Sequence, residues 1–316
     1  MTLSIDPSKI PVELLPRLSR IKLIVSDMDG TLLDSEHRVP AVTMSAISRF
    51  EELSIPDSAT SNSCLRFAVG TGRCRETAAL PFSPDFGFCA RPGSFLNGSV
   101  TYGIGGRLVA SQELPASVVE AVVSELSIHA PHDLTILLCK GGDCLSLQPC
   151  AFAHYLAAKY RDPMPHIPSE IVTSCGFNTQ GSFDTPNMLS ILVRDSAMID
   201  KVVLPKLRHS GICEIAQTAH SLPNLVSIVP LGTTKAAGLI SLAKELGIHT
   251  EEIAAIGDAL NDLEMIKIAG VGVAVDNAHA SLKAAADWVV NSNDHEQLPG
   301  VAQLIESIIY AKSFNA

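Results

Sequence analysis

Residues 21–34 read Ile21-Lys-Leu-Ile-Val-Ser-Asp27-Met-Asp29-Gly30-Thr31-Leu-Leu-Asp34, and this stretch decides the fold. An apolar-rich run ends abruptly in two carboxylates spaced i, i+2, followed by Gly30 and Thr31. A run closed by such a breaker reads as a buried parallel strand feeding a turn. Open α/β sheets bind ligands just outside the carboxyl ends of their strands, where Asp27 and Asp29 fall. Two acids this close repel, so a metal, a shared proton or a cationic neighbour has to compensate them. A calcium loop also begins Asp-x-Asp, but it needs glycine at its sixth position and a bidentate glutamate at its twelfth. Counted from Asp27, those positions hold Leu32 and Arg38, which excludes that reading. A plain polar turn remains for these residues alone, since Asp-Gly is a common turn dipeptide.

Three further features point the same way. Arg66–Gly70 reads as a second strand, ending in Gly70-Thr71-Gly72-Arg73 before a helix. Thr71, between two glycines, offers a hydroxyl and open backbone N–H groups suited to a phosphate. Lys235 opens a helix after Pro230-Leu-Gly232-Thr-Thr, where a cation is mildly unfavourable for the helix dipole, so its charge is a candidate for a ligand. A strand over 252–257 runs into Gly257-Asp258-Ala-Leu-Asn261-Asp262, again placing carboxylates at a strand's end. Singly, each has an ordinary explanation: a turn, a solvated lysine, a helix cap. All four together, in this order and at strand ends, are harder to dismiss.

Composition bounds the rest. At 316 residues the chain has room for about two domains. Its net charge of −10 gives no general attraction to nucleic acid or anionic lipid. No run reaches the roughly 18 apolar residues of a membrane span, and the N-terminus (Asp6, Lys9, Pro11, Glu13) lacks the apolar stretch of a signal peptide. We therefore expect a cytoplasmic protein without nucleic-acid or membrane partners. The 8 cysteines contain no Cys-x-x-Cys and the 10 histidines no His-Glu-x-x-His, which argues against zinc and for free, mostly buried thiols.

Along the chain, residues 41–53 carry helical spacing and 54–64 a Ser/Asn/Asp-rich loop expected to be exposed and mobile. The middle section differs in texture. Val100–Ala110 and Leu134–Leu147 read as hairpins around Gly105-Gly106 and Gly141-Gly142, with helical stretches at 115–128, 150–160 and 197–208 and a strand over Met188–Val193. From about residue 226 a βα rhythm returns: helix 233–246, strand 252–257, helix 260–268, strand 271–275, helix 278–285, strand 287–290 and helix 298–311. We expect an α/β core drawn from residues 1–103 and 226–316, with an α+β unit over 104–225 inserted into it.

With these residues in view, the chain resembles the haloacid dehalogenase superfamily of phosphotransferases, in its Cof-type branch with a large α/β cap. The family's Asp-x-Asp-Gly-Thr motif stands here as Asp27-Met-Asp29-Gly30-Thr31, its Thr-Gly-Arg as Thr71-Gly72-Arg73, its lysine as Lys235 and its Gly-Asp-x-x-Asn-Asp as residues 257–262. Leu96-Asn97-Gly98 and Gly272-Val-Ala-Val-Asp-Asn-Ala278 are further family-like stretches. Two departures are Ala236, where the family usually has glycine, and the long loop at 54–64; neither touches a reacting atom.

The resemblance implies a Rossmann-like parallel-sheet core with a C2-type cap inserted between the second and third motifs. It also implies a Mg2+-dependent phosphatase of small phosphorylated metabolites. Asp27 would attack phosphorus to give an aspartyl-phosphate, and Asp29 would protonate the leaving alcohol and then deprotonate water. Thr71, Gly72 and Asn261 would hold phosphoryl oxygens, and Lys235 would neutralise charge. Mg2+ would take the Asp27 carboxylate, the Asp29 carbonyl and Asp258, with Asp262 in support. A phosphomutase using the same aspartyl-phosphate, or a silent phosphate-binding regulator, are the rival readings. Selectivity would lie in polar cap loops such as 140–144 and 176–187.

Overall fold

The computed structural model describes residues 5–54, 65–130, 132–146 and 185–314. Positions 55–64 of the loop expected over 54–64, the helical stretch at 150–160 and positions 176–184 of the loop expected over 176–187 lie outside these residues. β1 (Leu23–Ser26) is buried along its whole length, as its apolar sequence requires. It sits inside an eight-stranded sheet between β2 (Arg66–Gly70) and β11 (Ile253–Gly257), parallel to both. Beyond β11 come β12 (Val271–Val275) and β13 (Trp288–Val290), also parallel. Beyond β2 lies parallel β3 (Gly93–Phe95), then antiparallel β4 (Val100–Tyr102) and β5 (Leu108–Ser111).

From β1 the chain moves one way to β2, whereas β11, β12 and β13 progress the other way. Right-handed crossovers therefore lay the connecting helices on both faces. The helices Ala41–Glu52 and Gly300–Ser313 pack together, and Lys235–Leu246 packs on Leu263–Ile268. The reversal of direction about β1 creates a crevice at the carboxyl ends of β1, β2 and β11.

A second, five-stranded antiparallel sheet has the order β7 (Asp143–Ser146), β6 (Leu134–Lys140), β8 (Met188–Val193), β10 (Leu225–Pro230) and β9 (Ala216–Leu222). Helices Ala116–Leu126 and Leu204–His209 cover it, and Leu114, Val122, Leu189, Ile191 and Val226 form a separate apolar core there. The fold is thus α/β, with a mainly parallel sheet and an additional antiparallel one. The two units meet at polar joints. Gln112 accepts from the Thr233 hydroxyl at 2.8 Å, Gln217 donates to the Thr233 carbonyl, and Asn187 donates to the Gln112 carbonyl at 2.6 Å.

Strands over Arg66–Gly70, Met188–Val193 and 271–275 have the expected bounds. The helix read from 233 begins at Lys235, because the Thr234 side chain caps it by accepting from the Ala237 N–H. The stretch read as one helix over 260–268 is a 3-10 turn, Leu260–Asp262, followed by the α-helix Leu263–Ile268. The reading of all cysteines as free is corrected: Cys139 and Cys144 face each other across the β6–β7 hairpin and form a disulfide. Cross-strand register, not sequence spacing, brings that pair together. Cys89 and Cys213 are exposed free thiols.

Candidate active site

Asp27 follows the last residue of β1, and its N–H is held by the Ile256 carbonyl of β11 at 2.9 Å. Gly30, at φ +81°, turns the chain back beneath it; a Cβ there would lie 2.5 Å from Asp258 Oδ2. This close approach explains the glycine. Thr31 donates its hydroxyl to Asp258 Oδ1 at 2.8 Å. Asp258 follows β11, and its N–H and that of Ala259 donate to Asp262 Oδ2 at 3.1 and 3.0 Å.

Lys235 opens the helix Lys235–Leu246 that follows β10, and its ammonium is buried among these acids. Nζ donates to Asp27 Oδ1 at 2.5 Å and to Asp262 Oδ1 at 2.7 Å. Burial alone would discharge the lysine, but the carboxylates of Asp262 and Asp27 more than offset it and hold its pKa above the usual lysine value. One ammonium does not balance three carboxylates. Burial, with mutual repulsion among Asp27, Asp258 and Asp262, pushes Asp27 well up and Asp258 up as well. Carboxylate oxygens of these three residues lie within 4.8 Å of one another. A hard-oxygen cluster with surplus negative charge fits a divalent cation such as Mg2+.

Asp29 is placed differently. Its carboxylate receives two hydrogen bonds from Arg73, Nε to Oδ2 and Nη2 to Oδ1, both at 2.7 Å, with His37 Nδ1 at 3.5 Å. Burial works to raise its pKa, but the hydrogen bonds from Arg73 and His37 win and hold the carboxyl well below the usual range. Asp29 is therefore a carboxylate here, set apart from the acidic cluster by its own cation.

Thr71 lies at the end of β2, buried, with its N–H on the Ser94 carbonyl at 2.9 Å and its hydroxyl accepting from the Arg73 N–H at 3.1 Å. Gly72 stacks against the Asn97 carboxamide, which a Cβ there would approach to 3.2 Å. Asn261 donates to Asn97 Oδ1 at 3.1 Å.

The expected site residues thus fall into one crevice: Asp27, Lys235, Asp258 and Asp262 in direct or shared contact, Thr71, Gly72 and Asn261 beside them, and Asp29 at the edge. Sequence reasoning assigned no role to Arg73, His37, Thr31 or Asn97. Arg73 could have been found from its place directly after Thr71-Gly72. His37, at φ +56° on an exposed-looking turn, gave no signal.

In comparison with known proteins, the profile of the haloacid dehalogenase-like hydrolase family matches residues 24–305. A protein of Arabidopsis thaliana named chloroplastic endoribonuclease YBEY is 28% identical over 300 residues, covering 90% of this chain and 46% of that protein. The 5-amino-6-(5-phospho-D-ribitylamino)uracil phosphatase YwtE of Bacillus subtilis (strain 168) is 26% identical over 309 residues, covering 92% of this chain and 98% of that one. The crystal structure of a haloacid dehalogenase-like hydrolase from Bacteroides thetaiotaomicron superposes with a TM-score of 0.71 at 25% identity, over 91% of this chain and 99% of that one. The chain therefore spans less than half of the Arabidopsis protein and nearly all of the other two. Among the described residues no helix is long and apolar enough to cross a membrane.

Proposed function

The chain belongs to the haloacid dehalogenase-like hydrolase family, and from that premise we propose that it is a Mg2+-dependent phosphatase of small phosphorylated metabolites, working through an aspartyl-phosphate. The observation that carries this reading is the buried cluster of Asp27, Asp258 and Asp262 around Lys235 at strand ends. A phosphate ester dianion repels an anionic nucleophile, so attack needs cations already in place. Bound Mg2+ would supply charge neutralisation and a template for the phosphate, held by the Asp27 and Asp258 carboxylates and the Asp29 carbonyl with Asp262 in support.

The chain's own groups do the rest. Asp27 Oδ attacks phosphorus and the ester oxygen leaves with its electron pair, giving an aspartyl-phosphate that water then hydrolyses. Lys235 opposes the rise that burial imposes on the Asp27 carboxyl and neutralises charge as the phosphate arrives. Thr71, Gly72 and Asn261 hold phosphoryl oxygens. In its grip from Arg73, Asp29 is in the base form that the hydrolytic half requires. When the dianionic ester competes for the Arg73 guanidinium, Asp29 takes a proton from solvent, passes it to the departing ester oxygen, and then recovers one from the water that attacks the aspartyl-phosphate.

The division of labour assigns the catalytic core to residues 1–103 and 226–316 and the cap to 104–225, with the joints shifted a few residues by strand pairing, since β5 belongs to the first sheet and β10 to the second. The acidic net charge favours a small metabolite over nucleic acid or an anionic membrane as partner. The Bacillus relative's name puts a phosphorylated ribityl compound into the first panel of substrates to try. Phosphate release from p-nitrophenyl phosphate and from that panel, with Mg2+ and without any activating bisphosphate, tests the proposal. No release from any ester would refute it in favour of a silent phosphate-binding protein, and release dependent on a bisphosphate would favour a mutase.

A further inference from the structure

The turn Leu96–Gly98 has an unusual backbone. Leu96 at φ +51°, Asn97 at φ +55° and Gly98 at φ +97° are three consecutive residues in the left-handed region. A bulky leucine there is a genuine outlier, and such strain persists only where surrounding contacts impose it. The contacts are specific. The Leu96 N–H donates to the Arg73 carbonyl at 3.1 Å, and the Asn97 N–H to the Thr71 carbonyl at 3.0 Å. Gly98 abuts the residue before Lys235 so closely that a Cβ would lie 2.0 Å from the Thr234 carbonyl oxygen. One strained turn thus touches the segments carrying Thr71, Lys235 and Asn261.

The Asn97 side chain joins this core to the second unit. It is 2% exposed. Its Oδ1 accepts from Asn261 Nδ2 at 3.1 Å, and its Nδ2 faces Met188 Sδ, at the start of β8, at 3.7 Å. An amide oxygen only accepts, so Asn97 fixes which end of the Asn261 carboxamide faces it and leaves the second Nδ2 hydrogen for another acceptor. The Asn261 Oδ1 is buried without a hydrogen-bond partner among the described residues, so nothing else there fixes that side chain's orientation. The thioether is the weak acceptor that orients Asn97 in turn.

We propose that Asn97 is a positioning residue that turns the Asn261 amide toward the phosphate and makes phosphate affinity depend on the seating of the cap through Met188. This rests on the reading of Asn261 as a phosphate ligand. The strain of the turn places Asn97 where it reaches Asn261 and Met188 at once; an ordinary right-handed turn would direct its side chain elsewhere.

The test measures inorganic phosphate binding by calorimetry in the presence of Mg2+, which needs no turnover, on Asn261→Ala, Asn97→Gly, the double variant and Met188→Leu. Glycine keeps the left-handed backbone, so Asn97→Gly removes the amide alone. We expect Asn261→Ala and Asn97→Gly each to weaken phosphate roughly tenfold, the scale of one hydrogen bond to a charged group. The double variant should be no weaker than either single one, with Mg2+ affinity unchanged throughout. Met188→Leu, which leaves the turn intact, should weaken phosphate about threefold. If Asn261→Ala weakens binding and Asn97→Gly does not, or if the two effects multiply, the positioning role is wrong while the phosphate site stands. If Asn261→Ala has no effect, the reading of Asn261 fails and this inference falls with it. Unchanged affinity in Met188→Leu overturns the link to the cap.

Discussion

Lys235→Met is the most searching single substitution, because the methionine refills most of the stem's volume and removes only the charge. Lys235 is 2% exposed and lies 2.5 and 2.7 Å from two carboxylates. Stripping one partner from a buried ionic group costs about 3–5 kcal/mol. Here two acids lose their cation together, so we expect about 4–5 kcal/mol near pH 8. At about 2 °C per kcal/mol for a chain of this size, the Tm should fall by roughly 8–10 °C. The sign of the pH dependence comes from the acids left behind. Burial and repulsion already raise Asp27 and Asp258 in the folded protein, and loss of the ammonium raises them further. Acids raised on folding bind more protons folded than unfolded, so stability falls as pH rises through that window. The Tm gap to wild type should therefore be small near pH 4, open as pH rises toward 8, and narrow again with saturating Mg2+. Thermal unfolding followed by circular dichroism across this range measures it, with phosphate release expected to fall by at least about a hundredfold. A Tm within about 2 °C of wild type at pH 8, the scale of a surface substitution, would refute the reasoning, as would a gap that does not change with pH.

Asp27→Asn should abolish phosphate release while the circular dichroism spectrum stays native, since an amide is isosteric but offers no anionic lone pair to phosphorus. Chelation with EDTA should remove activity and Mg2+ restore it, whereas Ca2+, with longer bonds and higher coordination, should not. In Arg73→Ala, Asp29 loses the partner that holds its carboxyl low. A carboxyl depressed on folding adds stability above its unfolded pKa that is lost as pH falls through the folded value, so the variant's Tm should lag wild type at pH 6–8, and the gap should begin to close only below about pH 4 and narrow steadily with further acidification. Gly30→Ala forces a left-handed φ and drives a Cβ toward Asp258; a Mg2+ titration should show at least about tenfold weaker binding, with about 1–3 kcal/mol lost from stability.

The core is legible in the sequence because its strands are short apolar runs that stop at chemistry-bearing residues. Leu23–Ser26, Arg66–Gly70 and Ile253–Gly257 are buried over all or nearly all of their length, and the next residue in the chain is Asp27, Thr71 or Asp258 respectively. The pairing across the second sheet is not legible. β9 is the polar run Ala-Gln-Thr-Ala-His-Ser-Leu, and β10 merges in sequence with the βα rhythm of the core that begins beyond it. In the first sheet, β3 is too short to show a period. The partners of Asp29 stay hidden for another reason. Arg73 and His37 reach it through side-chain geometry over sequence separations that no spacing rule reports.

The placement of β1 between β2 and β11 has a consequence for how the protein is made. Asp27 precedes Lys235 by 208 positions and Thr31 precedes Asp258 by 227. At roughly 5–20 residues per second, the first carboxylates leave the ribosome on the order of ten to forty seconds before their cation and partner acids. Through that interval β1 can pair with β2, but its other edge stays open, and an open apolar edge is a template for unwanted pairing. Arrival of Ile253–Gly257 closes the edge and completes the charge cluster in one event. The nascent chain is therefore most vulnerable while it is also chemically inert, and the same strand ends both conditions.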